Sequence, residues 1–206
     1  MRFVCSAVTV WLLVIGAKAP LLMEQSIVML QMPNDEGVMK AVCSGVVVQT
    51  VPVPFIFTEA HCIDGADITT MRVEGNALVE VARNHDVVLL RVQGWLVKHV
   101  PARMAEKDPE IGSRVRAAGW AFGRFVAVTV GHISGEYDGE LYFDIECIRG
   151  MSGGPIVNDD GKVVSLVRAF VTDGSPSESS PNGLTVGAST RYLRDLLTVV
   201  WGMNLR

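Results

Sequence analysis

Residues Arg149–Pro155 read RGMSGGP. One serine, Ser152, stands among three glycines and ahead of a proline, between an apolar run ending at Ile148 and another beginning at Ile156. Glycine serves backbone angles that side chains forbid, and close approach of another molecule to the backbone. A linker repeats such residues loosely. Here they crowd around one hydroxyl and join two strand-like runs. The unit is strand–turn–strand, which excludes the G-x-S-x-G turn that leads from a strand into a helix.

On both sides of this stretch, short apolar runs recur. They are SIVMLQM (26–32), CSGVVVQTV (43–51), PFIFTEA (54–60), DITTMRV (67–73), ALVEVA (77–82) and DVVLLRV (86–92), then RVRAAGW (114–120), FVAVTVGHIS (125–134), ELYFDI (140–145), PIVN (155–158), KVVSLVRAF (162–170) and LTVGAS (184–189). β-Branched residues fit a pleated surface. The separators carry Gly, Pro, Asn and Asp, and two end in the Asp-Gly hairpin signal, at 138–139 and 160–161. Many short strands at regular spacing predict an all-β sandwich or barrel. The segment Lys98–Gly112, with Pro101 and Pro109, breaks the rhythm and joins two halves of similar size. Near the C-terminus, Ser189 is placed to cap a helix whose Tyr192, Leu193, Leu196, Leu197 and Val200 recur at helical spacing. The stretch 173–183 reads as a surface loop, the most mobile of the chain.

With 206 residues, 49% hydrophobic and 19% charged, the chain can bury a core without staples. A net charge of -4 gives no reason to expect nucleic acid. The start is separate. Arg2, an apolar run and Ala17-Lys18-Ala19 have the form of a secretory signal. A cut after Ala19 would leave Pro20, a poor residue there, so residues 1–19 read as a signal peptide or a retained anchor. Exported compartments permit disulfides. Cys43 and Cys62 therefore either pair or stand as two buried thiols.

A serine hydroxyl needs a base, and the base needs an orienting group. Histidine suits that work near neutral pH. His61, in FTEAHCID, ends an apolar strand at a turn, where a rigid element presents a side chain to a cleft. His99 and His132 have no acid nearby in sequence and read as surface residues. Asp86 directly precedes an apolar strand, where a buried carboxylate needs a hydrogen bond such as a histidine N–H supplies. Asp64 and Asp67 are rivals but sit too close to His61 in sequence. Gly150 and Ser152 carry the backbone N–H groups of a candidate oxyanion hole.

Three motifs, TEAHC (58–62), HDVVLL (85–90) and GMSGGP (150–155), resemble the histidine, aspartate and serine motifs of trypsin/chymotrypsin-like serine proteases, in the same chain order. CSGVVV, IGSRVRAAGWAFG (111–123) and YFDIECIRGMSGGPIV look most similar to the high-temperature-requirement branch. The resemblance implies an all-β fold of two six-stranded antiparallel barrels with a C-terminal helix. Residues 24–100 would hold the first barrel with His61 and Asp86, and 101–206 the second with Ser152. It implies a serine endopeptidase with His61 as base then acid, Asp86 as orienter and Ser152 as nucleophile. It also implies a Cys43–Cys62 disulfide beside the histidine, and substrate pairing along Arg168, Ala169 and Phe170. Glu146 falls at the base of the specificity pocket. There it either favours Lys or Arg in the substrate or points away and pairs with Arg149 or Arg168.

The chain departs from the family in three places. Glu59 stands where a small residue is usual, Cys147 has no obvious partner and reads as a free buried thiol, and no room is left for a PDZ domain. No cofactor or metal is called for. The implied partner is a protein or peptide substrate, with membrane contact only through the N-terminal segment, a secreted or periplasmic location, and no motif that fixes an oligomeric state. Two further readings are an inactive protease-like binding protein and a viral or phage processing protease. The ordered His61, Asp86 and Ser152 argue against the first, and the export segment against a cytoplasmic second.

Overall fold

The computed structural model describes residues 23–172, 175–177 and 184–204. The expected signal or anchor at 1–19 lies outside them, as do 173–174 and 178–183 of the expected loop. No helix among the described residues is long and apolar enough to cross a membrane.

The fold is mostly strand. Six strands close a first barrel: β1 (Ile27–Pro33), β2 (Met39–Gln49), β3 (Phe55–Glu59), β4 (Arg72–Val73), β5 (Asn76–Asn84) and β6 (Val87–Gln93). Their order around it is β1-β2-β3-β6-β5-β4. The later strands are β7 (Arg103–Met104), β8 (Arg114–Ala121), β9 (Phe125–Tyr137), β10 (Glu140–Phe143), β11 (Pro155–Asn158), β12 (Lys162–Leu166), β13 (Ala169–Thr172), β14 (Ser175–Ser177) and β15 (Leu184–Ala188). They form a curled nine-stranded sheet, a half-barrel in the order β14-β13-β15-β10-β9-β8-β11-β12-β7. One helix, Thr190–Asn204, follows.

Strand β3 explains how the halves meet. It is buried at every position, because successive side chains point to opposite faces. Ile56 enters the first-barrel core with Val28, Leu30, Val47, Val88 and Leu90. Phe55 and Phe57 point the other way, into a second core with Leu89, Ala118, Leu166, Leu193, Leu196 and Leu197. That second core joins both halves and the helix. A one-residue slip of β3 would reverse every side chain.

The Asp-Gly signal at 138–139 forms the β9–β10 turn, with φ of 50° at Asp138 and 76° at Gly139, the signs a type I′ turn needs. The helix begins as the sequence predicts. Ser189 Oγ accepts from the Arg191 N–H at 3.4 Å, and Asp108, from the connecting segment, accepts from the Thr190 N–H at 2.7 Å.

Three expectations are corrected. The run Asp67–Val73 is mostly turn, and only Arg72–Val73 is strand. Asp67 accepts from the Thr69 N–H and hydroxyl, and its carbonyl from the Thr70 hydroxyl, which offers the backbone a local alternative to a ladder. The run 162–170 divides into β12 and β13, because the Val167 N–H turns to Gly154 O and the Arg168 N–H to Val186 O. His99 is not a surface residue. Its side chain is 11% exposed and bridges Gln25 O and Glu74, both at 2.9 Å.

Candidate active site

The site forms where the ends of β3 and β6 meet the loop before β11. A short 3₁₀ turn, Ala60–Cys62, follows β3 and carries His61. The Ala60 N–H donates to Asp86 O, so the turn is pinned to the residue that precedes β6. His85, at φ 58°, makes the tight turn that presents Asp86, and its ring stacks on Tyr192 of the C-terminal helix with centroids 4.8 Å apart. His61 Nδ1 and Asp86 Oδ2 lie 3.4 Å apart. The rivals are engaged elsewhere: Asp64 pairs with Arg83 at 2.8 Å, and Asp67 holds Thr69.

Cys43 and Cys62 form a disulfide, so the residue reading that left two thiols open is settled in favour of the pair. It fixes the turn that carries His61 to β2. Cys62 Sγ lies 3.8 Å from both His61 Nε2 and Ser152 O, which brings the serine loop and the histidine to one point.

The glycines of RGMSGGP have specific reasons. Gly150 has φ 95°, and a Cβ there would stand 2.4 Å from Trp120 O. Gly153 has φ 79°, and a Cβ there would stand 2.2 Å from Ser44 O. Only glycine fits both the angle and the space. Neighbouring amides are spent inside the protein: Met151 N–H on Ile148 O, Gly153 N–H on Val167 O and Gly154 N–H on Met151 O. Ser152 Oγ donates to Arg168 O at 3.3 Å.

Ser44 is a residue the sequence did not single out. Its hydroxyl donates to Gly150 O at 2.7 Å and accepts from the Trp120 N–H at 2.8 Å. Its N–H donates to Ser152 O at 2.8 Å, and its carbonyl accepts from Thr58 Oγ1 at 2.8 Å. One buried residue of the first barrel thus ties down the serine loop of the second half. The only signal was its place beside Cys43.

Charges add a further layer. Arg168 Nε lies 2.7 Å from Asp86 Oδ2, and Arg168 also pairs with Glu140. Burial pushes the Asp86 carboxyl up, but the His61 hydrogen bond and the Arg168 guanidinium pull it further down, and the balance lies below the usual value. Glu59 is fully buried, and burial first, then the Asp86 charge, raise its carboxyl well above the ordinary range. Glu146 is exposed on the loop before Ser152, and the structure pairs Arg168 with Asp86 and Glu140 instead. At the expected substrate strand, β14 pairs with β13 from Phe170 onward. Cys147 is free, and burial pushes its thiol up to about 11.

The trypsin-like peptidase domain matches residues 43–166. Over 150 residues, 66% of this chain and 31% of the relative, the sequence is 29% identical to a probable periplasmic serine endoprotease, DegP-like, of Marinomonas sp. (strain MWYL1). The chain therefore spans about a third of that relative. Among solved structures, the HtrA-type protease AlgW with a decapeptide superposes with a TM-score of 0.69 at 17% identity, over 89% of this chain and 67% of that one. The serine endoprotease of Yersinia pestis gives 0.68 at 19% identity, over 87% and 64%. The Rv3671c protease of M. tuberculosis in its active form gives 0.69 at 17%, over 88% and 83%. At such identities these structures carry the fold.

Proposed function

Because the chain belongs to the trypsin-like peptidase family, we propose that it is a serine endopeptidase working through Ser152, His61 and Asp86. The observation that carries this reading is the His61–Asp86 contact at 3.4 Å, held by the disulfide turn that also meets the Ser152 loop.

In this reading Ser152 Oγ leaves its resting bond to Arg168 O and attacks the substrate carbonyl. Its proton passes to His61 Nε2. Asp86 accepts from the Nδ1–H throughout, which sets the tautomer and stabilises the imidazolium. The negative charge on the carbonyl oxygen is met by the Gly150 and Ser152 N–H groups. His61 then gives its proton to the leaving amine, the C–N bond breaks, and Ser152 holds the acyl group. Water, deprotonated by His61, attacks the ester, and the serine is restored. Substrate backbone would pair beside Arg168 and Ala169, since β14 takes the edge at Phe170. Glu146, exposed beside the serine loop, would favour Lys or Arg before the cut bond. A secreted or periplasmic setting fits both the disulfide and the periplasmic relative.

One observation favours a resting enzyme that substrate must rearrange: the Ser152 hydroxyl donates to Arg168 O. The test is labelling with a fluorophosphonate probe, with Ser152→Ala and His61→Ala as controls. Labelling that both substitutions abolish is expected. Folded wild-type protein that stays unlabelled, also with an added peptide, would favour the binding protein.

A further inference from the structure

Among the described residues Glu59 is the only fully buried acid. Both its carboxyl oxygens are sealed from solvent, and no donor reaches either one. Strand alternation puts it on the same side as Phe55 and Phe57, the face between the two halves. One carboxyl oxygen of Glu59, one of Asp86 and a ring nitrogen of His61 lie within 4.8 Å of one another.

The surrounding charge decides what Glu59 must be. The groups that face it and Asp86 are His61 from the 3₁₀ turn, Arg168 from the segment before β13, and Glu140 from β10. Among the described residues Arg168 is the one permanent cation of this group, and it is shared between Asp86 and Glu140. Two carboxylates and one guanidinium leave one net negative charge. An ionised Glu59 would add a second, buried and without a hydrogen bond, which is the costliest state for a carboxylate. Two carboxylates this close do not both ionise readily. A metal ion at this cluster would face the guanidinium already seated on Asp86.

We propose that Glu59 is a positioning residue for the catalytic centre: held neutral, it donates its carboxyl proton to Asp86 and fixes how Asp86 Oδ2 faces His61. The proposal rests on the reading of Ser152, His61 and Asp86 as the catalytic set. Both His61 and Arg168 use Oδ2, which leaves the other oxygen to accept from Glu59. A neutral Glu59 also keeps the cluster at one negative charge, and the imidazolium formed in the reaction cancels it. Ionisation of Glu59 at high pH would break this bond, set two carboxylates against each other, and draw Arg168 away from Asp86.

The experiment uses the folded protein with glutamate carboxyl carbons labelled for NMR, beside fluorophosphonate labelling rates across pH. The Glu59 carbon is expected at the protonated position at pH 7, ionising only in alkaline solution, with the wild-type labelling rate falling over the same range. Glu59→Gln, whose amide still donates, is expected to label less than about tenfold slower and to lose that alkaline fall. Glu59→Ala is expected to be slower by about 10- to 100-fold, the worth of a hydrogen bond to a charged group. A Glu59 carbon at the carboxylate position at pH 7 overturns the proposal, and this measurement needs no variant to fold. So does a folded Glu59→Gln that is as slow as Glu59→Ala. Absence of labelling in folded wild type would sink the catalytic set and the positioning role with it. The carbon spectrum would then still report the acid pair, so the two failures are distinct.

Discussion

Ser44→Ala removes one hydroxyl and no apolar contact of consequence, and with it two of the bonds that join the halves, while the backbone N–H bond to Ser152 O remains. The hydroxyl serves two partners, Gly150 O at 2.7 Å and the Trp120 N–H at 2.8 Å. A group left without its partner costs about 1–3 kcal/mol when buried. Gly150 and Trp120 are only partly buried, so water recovers part of that loss and the lower half of the range applies. Two such groups give a destabilisation of about 2–4 kcal/mol. Freed of Ser44, the Gly150 carbonyl no longer fixes the loop before Ser152, so fluorophosphonate labelling should also slow, by about tenfold for each 1.4 kcal/mol lost at the loop. The assay pairs urea unfolding with labelling rates. Ser165→Ala is the control. Its hydroxyl is as deeply buried and bonds Ala188 O at 2.7 Å, so it should lose stability while labelling holds. A Ser44→Ala midpoint shift worth less than about 0.5 kcal/mol, the size of an ordinary surface change, would refute the account. So would equal labelling losses in Ser44→Ala and Ser165→Ala.

Reduction of the Cys43–Cys62 bond, which closes a separation of 19 residues, should cost about 3 kcal/mol, read as a lower urea midpoint with dithiothreitol. The Asp86 carboxyl is depressed in the folded state, so its contribution is present above the ordinary carboxylate value and lost as pH falls through the folded one. Asp86→Asn should therefore flatten the acid side of the stability profile below about pH 4, and an unchanged acid limb would count against the His61 and Arg168 contacts. The Cys147 thiol, pushed up to about 11, should react with iodoacetamide at pH 8 at least about tenfold slower than an ordinary thiol. Equal rates would mean that the thiol is not buried where the Thr185 hydroxyl donates to it at 3.1 Å.

The sequence by itself determined what is local. Val-rich runs and Gly-containing turns specified most strands. Asp138-Gly139 specified its hairpin because only residues tolerant of positive φ make that turn. Ser189 and the leucines after it specified the helix. RGMSGGP announced a loop whose backbone must pass close to other backbone, though not which atoms it meets. Local reasoning failed where a side chain competed with the ladder, as Asp67 does, or where a distant partner decided exposure, as Glu74 does for His99.

Tertiary structure alone decided the long-range chemistry. Ser44 bonds Gly150 across 106 residues, and Arg168 reaches from one half to Asp86 in the other. Nothing in a run of neighbours encodes such a meeting. It depends on which face of β3 points outward and on how the two halves pack across Phe55 and Phe57. Glu59 shows the division most plainly. The sequence marked it as out of place, but its full burial and its place beside Asp86 follow from packing alone.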